Sequence, residues 1–125
     1  MAEDVMITKI HTIHPKNRVA LARLRMLRHG VGALPVIDKN KNLVGMITLR
    51  DIDLAGNEAF ALLIEDLMTP NLITGRKDSA LGEIAEMMLR TGIQRIPIVN
   101  KVNQLVGLVT QTTIIRATAK YFDSE

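Results

Sequence analysis

The chain repeats itself. Shifted by 62 positions, residues 4–55 align with residues 66–117 without a gap, and 15 of the 52 pairs are identical. The identities include Asp4/Asp66, Met6/Met68, Gly30/Gly92, Pro35/Pro97, Val44/Val106, Gly45/Gly107, Thr48/Thr110 and Ile52/Ile114. Many other pairs are conservative, such as Val36/Ile98 and Ile47/Val109. An ungapped match that keeps Gly and Pro in register is a structural duplication, so any fold for this chain must contain one supersecondary unit twice.

Each copy reads as the same string of elements. In the first, 10–13 is a short strand candidate and 15–17 a polar approach to a helix over 18–29. Gly30 stands where a left-handed C-terminal cap is wanted. Residues 34–37 form a strand containing Pro35, which is expected at a first paired position or on an edge. Residues 38–42 turn the chain into a second strand over 43–47. Thr48 can then cap a helix starting at Leu49. The second copy repeats this with strands over 72–74, 96–99 and 105–109 and helices over 80–91 and 111–121. The fold class is therefore α/β (α+β), with two tandem β-α-β-β-α repeats over residues 4–62 and 66–125. A three-stranded sheet with one bare face cannot stand alone, so the halves are expected to pack together about a pseudo-two-fold axis.

Composition fits one compact module. At 125 residues with 47% hydrophobic and 23% charged content, the chain can bury a core and is not of the disordered class. With only Phe60, Tyr121 and Phe122 as aromatics, aliphatic residues and Met must fill that core. No apolar run is long enough to span a bilayer, and Met1-Ala2-Glu3-Asp4 lacks a signal-peptide pattern. The absence of cysteine removes disulfides, thiolate metal sites and cysteine nucleophiles. A cytoplasmic protein without membrane association is the expectation.

The copies differ where they would meet partners. On the helix over 80–91, Leu81, Ile84, Ala85 and Met88 make an apolar arc opposite Glu83, Glu86 and Arg90. On the helix over 18–29, Val19, Ala22 and Met26 make the matching arc, but Leu21 and Leu24 replace the two glutamates. Leu21 and Leu24 are expected to form a homodimer interface or docking face, or else to pack under the chain's own C-terminal segment.

The string Gly45-Met46-Ile47-Thr48-Leu49-Arg50-Asp51 is the best candidate for chemistry. A strand running straight into a helix leaves backbone N–H groups that attract anions. Thr48 adds a hydroxyl there, and Asp51 a carboxylate able to accept from a sugar diol. Simple capping accounts for the same residues, with Asp51 adding about 0.3–1 kcal/mol through the helix dipole.

The duplicated pattern Asp-x-Met, helix-Gly, apolar-Pro-Val/Ile-Val/Ile and Val-Gly-x-Val/Ile-Thr-x-x-(Asp) resembles CBS domains, which occur in pairs, and it covers essentially the whole chain. The resemblance implies two clefts between the repeats that take adenine-containing ligands: AMP, ADP, ATP or S-adenosylmethionine. Thr48 and Asp51 match the ribose-phosphate positions, and Ile73, Ile93 and Gln94 would wall the base. In the second copy Thr110 matches Thr48, but Thr113 replaces the acid. Arg95, opposite Ala33 of the first copy, sits where some members place a phosphate-binding arginine. One nucleotide site is therefore expected rather than two.

The function implied is a stand-alone regulatory sensor, not an enzyme, that binds an adenosine-type ligand and acts on an unidentified effector or on its own assembly. It would use no catalytic cofactor. The alternative is a nucleic-acid-binding module. Nine basic residues and one acid lie between Lys9 and Arg50, and Arg18, Arg25 and Arg28 share one side of their helix. Scarce aromatics argue against it. His11-x-x-His14 would point to opposite sides of a strand and lacks a third ligand, so no metal is expected. No nucleophile has a base nearby in sequence.

Overall fold

A computed structural model of the chain describes residues 1–123. It contains five α-helices and four strands in two compact units. The contiguous unit runs Ile10–Leu72; the split unit joins Met1–Lys9 to the chain from Ile73 on. No helix among the described residues is long and apolar enough to cross a membrane.

In the contiguous unit, helix α1 (Val19–His29) leads to a hairpin of β1 (Ala33–Ile37) and β2 (Leu43–Thr48), then to α2 (Leu49–Ala55). A 3-10 turn at Asn57–Ala61 and the short α3 (Ile64–Leu67) follow. The split unit repeats the plan with α4 (Leu81–Thr91), β3 (Arg95–Val99), β4 (Leu105–Thr110) and α5 (Gln111–Asp123). Both first helices end as their sequence predicts. Gly30 and Gly92 take φ of 63° and 75°, and their N–H groups return to the carbonyls of Met26 and Met88.

The expected first strand of each repeat shrinks to a single bridge. Ile13 pairs parallel with Val36, and Gly75 with Ile98. This explains how Pro35 and Pro97 sit inside β1 and β3 rather than at their starts. The Ile13 N–H donates to the Pro35 carbonyl at 3.1 Å, so residue 35 turns its backbone polar groups away from β2. The missing proline N–H therefore costs the hairpin no ladder bond. Gly75 treats Pro97 the same way, at 2.9 Å.

The opposite edges carry the least expected feature: the leading segment of each repeat lies on the sheet of the other. Ile7 exchanges two hydrogen bonds with Leu108 of β4, at 2.8 and 2.9 Å. Thr69 does so with Met46 of β2, at 2.9 and 3.0 Å. Further back the match persists. The Ala2 and Glu3 N–H groups donate to Ser79 and Lys77 carbonyls, as Ile64 and Glu65 donate to Asn17 and Pro15. Each donor and acceptor pair differs from its counterpart by the same 62 positions. The Asp-x-Met identities explain themselves here. A Cβ on Gly45 would lie 2.6 Å from the Met68 sulfur, and one on Gly107 would collide with the Met6 sulfur. The glycines clear the space that the exchanged methionines fill.

The cores also correspond. Ala2, Ile84, Met88, Ile96, Ile98 and Val109 of the split unit match Ile64, Ala22, Met26, Leu34, Val36 and Ile47, and all are buried. Two of these pairs exchange size: Ala22 with Ile64 in one core, Ile84 with Ala2 in the other.

Candidate functional site

Strand β2 passes into α2 through Thr48, extended at φ −115° and ψ 158°, which aims its side chain at the first helical turn. The Asp51 N–H donates to Thr48 Oγ1 at 3.1 Å, and the Thr48 N–H donates to Asp51 Oδ2 at 3.0 Å. This is a reciprocal capping box, and the Leu49 N–H is separately met by the Gly32 carbonyl at 2.8 Å. Capping therefore accounts for Thr48 and for one oxygen of Asp51. The second oxygen, Oδ1, accepts nothing from the described residues, and the half-buried side chain leaves it free to accept from a ligand hydroxyl.

The split unit builds the same turn from neutral groups. The Thr113 N–H donates to Thr110 Oγ1 at 3.1 Å, the Thr110 N–H to Thr113 Oγ1 at 3.3 Å, and the two hydroxyls lie 2.9 Å apart. Thr113 thus replaces the acid as a capping partner without replacing its charge. Arg95 is half-buried and stands opposite Thr110 in the β3–β4 register, as Ala33 stands opposite Thr48. The Gln94 carbonyl accepts from the Gln111 N–H at 3.1 Å, and its side chain is exposed. Ile93 packs against its own unit's core, whereas Ile73 is partly exposed. Gln94, Arg95 and Thr110 are thus brought together around the start of α5, while Thr48 and Asp51 belong to the contiguous unit.

Other sequence signals resolve differently. Leu21 packs against the core of the contiguous unit, while Leu24 and Leu27 are 54% and 64% exposed. Of the arginine stripe, Arg18 Nη1 donates to the Ala61 carbonyl and Arg25 Nη1 to the Thr12 carbonyl, both at 2.7 Å. These two guanidinium groups therefore hold loops of their own unit. His11 stacks on His29, not beside His14, with ring centroids 3.6 Å apart. Partial desolvation, with the adjacent His11 and then Arg28 and Arg25, holds the His29 imidazole below its ordinary pKa.

A cavity of about 250 Å³ within the split unit escaped the sequence reading. Thr113, Arg116, Ala117 and Lys120 line one side, and Asp4, Val5 and Ile7 the other. The helical spacing 113-116-117-120 was the available signal; what hid it was the need to know that the leading segment lies against α5.

The CBS domain family model matches residues 2–56 and 64–120. The CBS domain-containing protein YhcV of Bacillus subtilis is 34% identical over 110 residues, covering 86% of this chain and 77% of that protein. The inosine-5'-monophosphate dehydrogenase of Korarchaeum cryptofilum is 38% identical over 109 residues, but the chain spans only 22% of that enzyme's length. Among solved structures, CBSX2 of Arabidopsis thaliana in complex with AMP superposes with a TM-score of 0.90 at 29% identity, covering 96% of both chains. The CBS domain pair of protein MJ0100, in complex with 5'-methylthioadenosine and S-adenosyl-L-methionine, gives 0.87 at 30% identity, covering 97% of both.

Proposed function

Since this chain belongs to the CBS domain family and carries two CBS repeats, we propose that it is a regulatory module that binds an adenosine-type ligand with Thr48 and Asp51. The observation that carries this reading is the free Asp51 Oδ1. Its partner oxygen fixes the carboxylate in the capping box, so Oδ1 is held ready to accept from a ribose hydroxyl at little further cost in side-chain entropy. A carboxylate acceptor is stronger than a neutral one, which favours a diol-bearing ligand over a plain base. Structural neighbours at 29% and 30% identity that hold AMP or S-adenosylmethionine support the ligand class. Ligand binding acts on an output only if it prefers one arrangement of the protein over another. We propose that this output passes to a partner protein or to a second copy of the chain through the exposed Leu24 and Leu27 of α1.

Asp51→Thr is the appropriate test, because Thr113 shows that threonine keeps the cap. Calorimetric titration with AMP, ATP and S-adenosylmethionine is expected to show roughly tenfold weaker binding of the responding ligand, the scale of one charge-assisted hydrogen bond. Equal affinity in wild type and variant would remove Asp51 from the site. Arg95→Ala, titrated in parallel, reports whether Arg95 contributes to the same ligand.

A further inference from the structure

His11 and His29 stack ring on ring, with centroids 3.6 Å apart and planes 9° from parallel. His29 closes the last turn of α1, and His11 lies in the segment that runs from the leader to the Ile13 bridge. Helical spacing puts Arg25 one turn before His29 on the same face, and Arg28 adjoins it in the chain. Arg25 Nη1 also reaches across to the Thr12 carbonyl at 2.7 Å, one residue past the stacked ring of His11. The charged groups that act on His29 are all basic: His11 from the packed segment, and Arg28 and Arg25 from its own helix. The split unit is built differently. At the 62-residue offset His11, Arg25 and His29 become Ile73, Met87 and Thr91, and the Thr91 hydroxyl donates to the Met87 carbonyl at 2.6 Å. One repeat alone therefore carries, at this place, side chains whose charge can change near neutrality.

We propose that this stack is a proton-operated clasp, which holds residues 10–12 on the end of α1 while one ring is neutral and opens when both are charged. Two flat rings in van der Waals contact attract while neutral, and a single charged ring still meets the face of its neutral partner favourably. Two imidazolium rings 3.6 Å apart repel, and the two neighbouring guanidinium groups add to that repulsion. The C-terminal end of α1 draws a cation, but Arg25 and Arg28 already answer it. Partial desolvation, and then the charges of His11, Arg28 and Arg25, hold the His29 imidazole below its ordinary value of 6.5. With the folded value depressed, the clasp contributes fully above about pH 6.5, and its contribution is lost as pH falls through the folded value. Opening frees residues 10–12 but not Ile13, whose N–H and carbonyl stay paired with Pro35 and Ile37. The joint set free is the one that carries the chain from Lys9 into the contiguous unit. This device holds or fails independently of the Asp51 reading.

Amide relaxation of the full chain, measured by NMR between about pH 8 and 5, tests the clasp. Backbone order parameters of His11 and Thr12 are expected to fall from about 0.85 to below about 0.6, while those of Ile13 and Val36 hold. Ile73 and Thr74, the equivalents in the split unit, are the internal control and should not change. In His11→Ile/His29→Thr, which copies the split unit, the pH dependence at Thr12 should disappear. In His11→Gln, the titration of the His29 ring, read from its Cε1–H shift, should move to higher pH because a like charge has gone. Constant order parameters across the range, an equal fall at Ile73 and Thr74, or the same fall in the double variant would overturn the proposal. So would a His29 titration that ignores the loss of His11.

Discussion

Asp38 and Asn100 occupy equivalent places and tie the same turn with different chemistry. Asp38 Oδ1 accepts from the Asn40 and Asn42 N–H groups at 2.9 and 3.0 Å, and Oδ2 from the Asn42 side-chain amide at 3.1 Å. Asn100 Oδ1 accepts from Val102 and Gln104 N–H groups at 3.1 and 2.9 Å, while its amide donates to Gln104 at 3.1 Å. Partial burial pushes the Asp38 carboxyl up, but the bonds from the Asn42 side chain and the Asn42 and Asn40 backbone, with His14 nearby, hold it below its ordinary value. A carboxyl depressed in the folded state stabilises above the unfolded pKa, and that stability is lost as pH falls through the folded value. The contiguous unit should therefore lose stability below about pH 4. Asp38→Asn, which copies the other repeat, should flatten that loss in denaturant titrations run at stepped pH. An unchanged acid limb would show that the loss lies elsewhere. At this scale the sequence was informative: the Thr48/Asp51 cap and the two glycine caps stand where their spacing placed them. Which oxygen of Asp51 remained free was beyond it, because that depends on the side-chain geometry of the closed box.

At the scale of elements, the two cores reach similar packing by opposite choices. The contiguous unit puts Ala22 on α1 and Ile64 on α3, whereas the split unit puts Ile84 on α4 and Ala2 on the leading turn. Ala22 is fully buried, and Ala22→Ile alone is expected to overpack its surroundings at about 1–3 kcal/mol. Ile64→Ala alone leaves a cavity, at about 2–5 kcal/mol. Together they reproduce the pair of the other unit, and the double variant should recover about 1 kcal/mol or more relative to the sum. Strict additivity in urea unfolding would show that the two sites do not share space. Helix and hairpin positions were legible from period and turn residues. The first strands were not: an apolar run beside a proline cannot show that its pairing stops after one bridge, because that is decided by the neighbouring segment. Leu21 teaches the same lesson, since facing its own core or a partner depends on where the preceding loop lies.

For the whole molecule, the exchange of leading segments decides what depends on what. Removing Met1–Lys9 takes away the Ile7–Leu108 bridge, the Met6 side chain over Gly107 and buried Ala2. All of these belong to the split unit. Hydrogen exchange on the truncated chain should show protection lost in β3 and β4 while β1 and β2 keep theirs. Equal loss in both hairpins would refute the assignment of the leader. Duplication was plain in the sequence, but an alignment cannot tell which copy a leading segment serves, because both copies present it with the same residues.

The exchange also orders events in time. The contiguous unit closes shorter loops, with Pro15 to Glu65 the widest of its backbone bonds, and is complete once Leu72 has been made. The split unit must bring Ile7 to Leu108, across the entire intervening chain, so its last pairing is of high contact order and slow. During synthesis from the N-terminus, the leader waits unpaired while the contiguous unit folds behind it. A segment made before either hairpin is thus among the last to find its place, and until then β4 presents an open edge to any passing strand.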